Sequence, residues 1–150
     1  MKLSTLKDAV DFAIQREEEA MDNYGKMIQL VKTPGLKKLL QELQEEEKNH
    51  KKLLQGLNKD KAQSYEPSQV IDLKISDYLE EGAIEEDMDF QDTLIIAAKK
   101  EKSSIELYSE LSKKAETEEL KKLFDYLVEQ EKRHKLKLET EYEKHVLEED

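Results

Sequence analysis

The 150-residue sequence predicts an all-α domain, a bundle of four helices in which two similar hairpins are joined by a long crossover. Three observations carry that expectation. Charged residues make up 41% of the chain, with only four Gly and two Pro, a composition that favours long helices over sheet or disorder. Apolar residues recur every three or four positions along four separate stretches, the period of a helix with one buried face. The sequence also matches itself at an offset of 84 residues.

The repeat defines the hairpins. "AIQREEEAMDNY" (13–24) falls on "AAKKEKSSIELY" (97–108), and "LKKLLQELQEEEKNHKKLL" (36–54) falls on "LKKLFDYLVEQEKRHKLKL" (120–138). Without a gap, 15 of 42 positions are identical between 13–54 and 97–138. Lys, Glu and Leu match cheaply in such a chain, so the informative identities are Tyr24 with Tyr108 and His50 with His134.

The first helix starts near Ser4 or Thr5, either of which can cap it, and turns Leu6, Val10, Ala13, Met21, Tyr24, Ile28 and Val31 inward. It stops at "KTPG", where Pro34 and Gly35 break the periodicity. The second runs from about Leu36 to Leu57 with Leu36, Leu40, Leu43, Leu54 and Leu57 on its stripe. The third begins near Asp92, with Leu94, Ala97, Ile105, Tyr108, Leu111 and Ala115 inward. Its end, "KKAETEE", holds neither Gly nor Pro, so the turn is placed from the repeat alone. The fourth runs from about Leu120 towards Val146.

Hairpins at about 5–57 and 92–147 leave residues 58–91 between them, far more than antiparallel neighbours need. A connection of that length carries the chain back along the bundle and makes helices two and three parallel. Val70 to Leu79 is expected to form a short strap helix on the outside. One crossover in a four-helix bundle is the ferritin-like arrangement, here a single domain over 1–150.

Composition excludes several functions. A formal net charge of -11 disfavours nucleic acid and anionic membranes and attracts cations. With no cysteine there is no disulfide framework, thiol nucleophile or Cys-based metal site. "MKLSTLKDAV" is too polar for a signal peptide and no apolar run approaches spanning length, so a cytoplasmic protein is expected.

The buried stripes carry residues that should not be there. Glu47 and His50 continue the apolar stripe of the second helix, Glu131 and His134 that of the fourth, and Glu17 and Glu101 those of the first and third. The midpoint of positions 17 and 50 falls in the first turn, and that of 101 and 134 in the second. Residues equidistant from an antiparallel turn lie at one height, so all six converge on one level. Four carboxylates and two imidazoles buried together would be costly unless something neutralises them. Two divalent ions do so, and hard carboxylate oxygens with one imidazole per metal suit iron or manganese, with zinc able to substitute. Two Glu plus two Glu-x-x-His across four helices is the ligand set of di-iron carboxylate bundles. Glu47 and Glu131 are the better bridging candidates, since their helices also supply the imidazoles. Tyr24 and Tyr108 either hydrogen-bond ligand carboxylates or are ordinary amphipathic core residues. Glu18, Glu19, Glu45, Glu46 and Glu129 point off the stripe and read as a solvated face, and His145 lies far from the cluster.

Over nearly its whole length the chain resembles a rubrerythrin-type, ferritin-like di-iron protein. The pattern of a Glu and then a Tyr on one helix, followed by E-x-x-H on the next, occurs as Glu17, Tyr24, Glu47 and His50, and again as Glu101, Tyr108, Glu131 and His134. The resemblance implies two bound irons, reaction with hydrogen peroxide or oxygen, and a role in oxidative-stress defence. Two departures stand out. Rubrerythrins proper carry a rubredoxin domain with four cysteines, whereas this sequence has none, which implies an external electron donor such as a rubredoxin or a flavoprotein. They also carry a further carboxylate three residues after the third-helix Glu, a place held here by Ser104, with Ala20 its counterpart. The alternatives are non-catalytic, ferroxidase-type iron handling and a metal-stabilised structural module. A repeat of two hairpins pairs readily across a two-fold axis, and a homodimer is expected.

Overall fold

The structure, a computed structural model, describes residues 2–3, 5–61, 73–74, 82–85 and 87–149. Four helices dominate: α1 (Leu6–Leu30), α2 (Pro34–Lys61), α3 (Phe90–Lys114) and α4 (Glu118–Glu149). Two short strands, β1 (Lys2–Leu3) and β2 (Leu73–Lys74), pair antiparallel. The all-α bundle of two hairpins and a crossover is therefore the fold.

Local chemistry sets the helix starts. Thr5 is extended and its Oγ1 accepts a hydrogen bond from the Asp8 N–H at 3.0 Å, capping α1. Asp89 does the same for α3, its Oδ1 accepting from the Asp92 N–H at 2.9 Å, so α3 begins two residues before the expected Asp92. In the second turn Thr117 Oγ1 accepts from the Leu120 N–H at 3.1 Å and its carbonyl from Lys121 at 3.0 Å, which starts α4 at Glu118. In the first turn the Thr33 carbonyl accepts from Lys37 at 3.1 Å. Pro34, expected only to break α1, is instead the first residue of α2. Its fixed φ suits that position, where no N–H is needed, and it keeps Thr33 out of the helical region. Thr5 and Asp89, like Thr33 and Thr117, are 84 residues apart, so the internal repeat includes the caps.

Side-chain contacts give the helix directions. Tyr24 reaches Glu101 and Tyr108 reaches Glu17, so ascending α1 means descending α3. Glu17 meets His50 while Met21 meets Gln44, making α2 antiparallel to α1. Since α2 and α3 both oppose α1, they run parallel to each other, as a long crossover requires. Within the crossover, Leu73–Lys74 is extended and paired with β1 rather than helical; the rest of the expected strap at 70–79 lies outside the described residues. Where the chain returns, Ile84 is buried among helix residues and its carbonyl accepts from Lys26 Nζ at 3.2 Å.

Two apolar clusters fill the bundle. One joins the start of α1, the later part of α2, the later part of α3 and the start of α4 through Leu6, Val10, Leu54, Leu111, Phe124 and Leu127. The other joins the opposite ends through Met27, Leu40, Leu43, Ile84, Leu94 and Leu138. Each fully buried aliphatic or aromatic side chain contributes about 1.5–3 kcal/mol of transfer free energy. Between the clusters lies a polar level.

Candidate metal centre

All six residues expected on that level meet there. Glu17, Glu47, His50, Glu101, Glu131 and His134 are each at most 2% exposed. Each sits on its helix's inward stripe, and the antiparallel hairpins bring positions 17 and 50, and 101 and 134, to the same height.

Two overlapping groups result. Glu17, Glu47, His50 and Glu131 each offer a ligand atom within 4.8 Å of the others, and so do Glu47, Glu101, Glu131 and His134. Glu47 and Glu131 belong to both. His50 Nδ1 lies 2.8 Å from Glu131 Oε1, 3.4 Å from Glu47 Oε1 and 3.5 Å from Glu17 Oε2. His134 Nδ1 lies 2.7 Å from Glu47 Oε1 and 3.8 Å from both Glu101 Oε2 and Glu131 Oε1. The rings stack with centroids 5.6 Å apart and planes inclined by 14°. A shift of 84 residues converts either group into the other, so the internal repeat generates both halves.

The tyrosines cross between hairpins. Tyr24 Oη donates to Glu101 Oε1 at 2.8 Å, and Tyr108 Oη donates to Glu17 Oε1 at 2.5 Å. Each phenol thus fixes a carboxylate of the other hairpin and leaves its second oxygen facing the cluster. Burial, reinforced by Glu101 for Tyr24 and by Glu17 for Tyr108, pushes both phenols well above their usual range. Both therefore stay protonated donors.

Burial and mutual repulsion set the electrostatics of the level. Burial raises the carboxyls of Glu47, Glu101 and Glu131 well above the ordinary carboxylate range, and neighbouring carboxylates add to it, chiefly Glu101 and Glu17 for Glu47, Glu131 for Glu101, and Glu47 and Glu17 for Glu131. Burial opposes charge on His50, but Glu131, Glu17 and Glu47 outweigh it and move the imidazole far upward. Several inward atoms make close ion-pair contacts at most and no well-aligned hydrogen bond: Glu17 Oε2, Glu47 Oε1, Glu101 Oε2, both Glu131 oxygens and the Nδ1 atoms of both histidines. Buried acceptors gathered at this density are a donor set that divalent ions would fit.

One contact departs from expectation. Glu46, read from sequence as part of a solvated face, turns its carboxylate onto His134 Nε2 while remaining 39% exposed. It lies off the apolar stripe of α2, so periodicity alone could not mark it. Its place immediately before Glu47 was the available signal. Arg16, also off the stripe, is buried and donates through Nη2 to the Lys100 carbonyl at 3.3 Å. Glu18 pairs with Lys51 at 3.1 Å at the surface, and His145 packs on the Phe90 ring with centroids 5.2 Å apart, both apart from the cluster.

Comparison with known proteins gives a consistent picture. The Rubrerythrin family model matches residues 8–142. A hypothetical protein from Pyrococcus furiosus is similar in structure with a TM-score of 0.71 at 27% identity, over 93% of this chain and 89% of that one. A Thermotoga maritima protein, provisionally described as a ferritin-like diiron-carboxylate protein, has a TM-score of 0.77 at 22% identity, over 95% of this chain and 97% of that one. Among curated proteins no match is found.

Proposed function

We propose that this chain, which belongs to the rubrerythrin family, holds two iron ions in its buried Glu/His level and reduces hydrogen peroxide or oxygen with electrons from a separate donor. The observation that carries the reading is the pair of four-residue groups sharing Glu47 and Glu131. In this reading Glu17, Glu47, His50 and Glu131 would hold one ion, and Glu47, Glu101, Glu131 and His134 would hold the other. Manganese or zinc can occupy the same oxygen-rich set.

When bound, two ferrous ions supply the two electrons that, with two protons, turn hydrogen peroxide into two waters. The chain does the rest. Tyr108 and Tyr24 hold Glu17 and Glu101 in place through their phenol protons. The apolar clusters on either side limit water at the centre and keep the electrostatics strong. Burial raises the carboxyls of Glu47, Glu101 and Glu131, so binding a cation there would displace protons. These 150 residues contain no cysteine cluster to relay electrons to the level, and the reading takes them from a donor such as a rubredoxin or a flavoprotein.

Ser104 is half-buried one helical turn beyond Glu101, where a rubrerythrin proper places a further carboxylate. Turnover is accordingly slower than in such an enzyme, and Ser104→Glu raises it. No described helix is long and apolar enough to cross a membrane. The test is stopped-flow oxidation of anaerobically iron-loaded protein, with peroxide and oxygen compared. Oxidation faster than that of free ferrous ion, cycling only with added reductant, supports the enzyme. Equal rates leave iron handling or a structural metal as the function.

A further inference from the structure

The two halves of the centre are related by the internal repeat, yet their outer faces differ. His134 turns Nδ1 towards Glu47, Glu101 and Glu131, and its Nε2 meets the Glu46 carboxylate. His50 likewise turns Nδ1 inward, but its Nε2 is buried and has no hydrogen-bond partner. The residue 84 positions after Glu46 is Gln130, so the hairpin that should supply the matching carboxylate supplies an amide instead.

We infer that Glu46 is a positioning residue that makes the centre asymmetric: it holds His134 ready to bind, so the half containing His134 and Glu101 takes the first divalent ion. The inference rests on the two-metal reading above. An imidazole can ligate through Nδ1 only if that nitrogen carries the lone pair, which requires the proton on Nε2. A carboxylate on Nε2 selects that tautomer, fixes the ring plane and makes the ligating nitrogen more basic. His134 has this arrangement before any ion arrives. His50 has no such support at Nε2 and must settle its ring orientation as its ion binds, and that cost falls on the second site.

Glu46 comes from α2 while His134 lies on α4, so the contact also ties the two hairpins together across the centre. Glu46 is more than one-third exposed, and a substitution there removes little packing. That makes it a clean site to test.

The experiment is an anaerobic titration of full-length protein with cobalt(II) chloride, read by the visible absorption of the bound ion. A parallel zinc titration is followed through the ring-nitrogen NMR signals of His50 and His134, with His145 as an internal reference. At one equivalent of zinc, the His134 signals should shift while those of His50 stay largely metal-free. Glu46→Ala should weaken the first step by about tenfold or more, as lost outer-sphere partners of ligating histidines do, and leave the second nearly unchanged. Gln130→Glu should strengthen the second step and narrow the gap. Glu46→Gln, which keeps an acceptor without the charge, should fall between wild type and Glu46→Ala. Zinc shifting His50 first, or both histidines in parallel, overturns the inference while leaving the two-metal reading intact. An unchanged first step in Glu46→Ala with no gain in Gln130→Glu does the same. Failure of the wild-type protein to bind either ion at the centre removes both.

Discussion

The apolar clusters at either end of the bundle and the polar level between them obey opposite rules. In the clusters, Leu40, Leu43, Leu54, Phe124 and Leu127 are fully buried and every contact favours folding. In the middle, four carboxylates and two imidazoles are buried equally well, several of their atoms make no well-aligned hydrogen bond, and burial disfavours their charges. The ends hold the fold together so that the middle can be costly. A site whose empty form is unfavourable gains most from the ion that completes it.

The strongest way to break the contrast is to damage an end. Phe124→Ala should cost about 3–5 kcal/mol, because it removes a fully buried ring that stacks near Tyr108. Chemical denaturation should show the loss with and without metal. A change in the middle should act with the opposite sign. Glu47→Leu, His50→Leu, Glu131→Leu and His134→Leu combined replace the buried pairs with apolar volume and should stabilise the metal-free protein by about 1–4 kcal/mol. The same variant should lose metal binding and all metal-linked protection against melting. If it is instead less stable than wild-type metal-free protein, the middle level contributes to folding on its own.

Between these extremes lie the tyrosines. Tyr108→Phe removes the phenol proton from Glu17 and leaves that carboxylate buried with one fewer donor, at a cost of about 1.5 kcal/mol. Metal affinity should also fall, because Glu17 is then free to turn away. Acidity gives the most graded test. The raised carboxyls of Glu47, Glu101 and Glu131 bind protons in the folded state that the unfolded chain has already released. The unfolded state then binds fewer protons, so metal-free stability is greatest below about pH 4.5 as far as these groups are concerned and falls as pH rises. The raised His50 acts in the same sense from its ordinary titration range upward. Metal binding needs those protons removed and strengthens with pH. The melting temperature of loaded protein minus that of metal-free protein should therefore widen steadily from about pH 5 to about pH 8, with each proton contributing a slope of at most about 1.4 kcal/mol per pH unit.

Much of this was legible in the sequence because the repeat and the helical period carry long-range information. Glu17 and His50 could be placed at one height from their distances to a turn, and the structure sets them 3.5 Å apart. The helix directions followed from the length of residues 58–91. Local chemistry was harder to read. Pro34 reads as a stop because proline interrupts helices, yet at the first position of α2 it begins one. Asp89 caps α3 although the apolar pattern starts later, at Leu94, so periodicity does not mark it. Leu73–Lys74 pairs with a strand more than sixty residues away, and a two-residue partnership leaves no period in the sequence. Glu46 was lost among adjacent glutamates, since stripe arguments see only which face a residue occupies and not how far its side chain bends. Tyr24 and Tyr108 do bond carboxylates of the level, and that each reaches across to the other hairpin could not be read from one helix's period.

The most direct test of the two-metal centre is anomalous diffraction at the iron edge from crystals loaded with ferrous ion without oxygen. The expected result is two peaks about 3.5–4 Å apart, the spacing of two-metal sites. One should lie among Glu17, Glu47, His50 and Glu131, and the other among Glu47, Glu101, Glu131 and His134. A single peak, or iron found only at exposed acidic side chains with the buried level empty, would contradict the account.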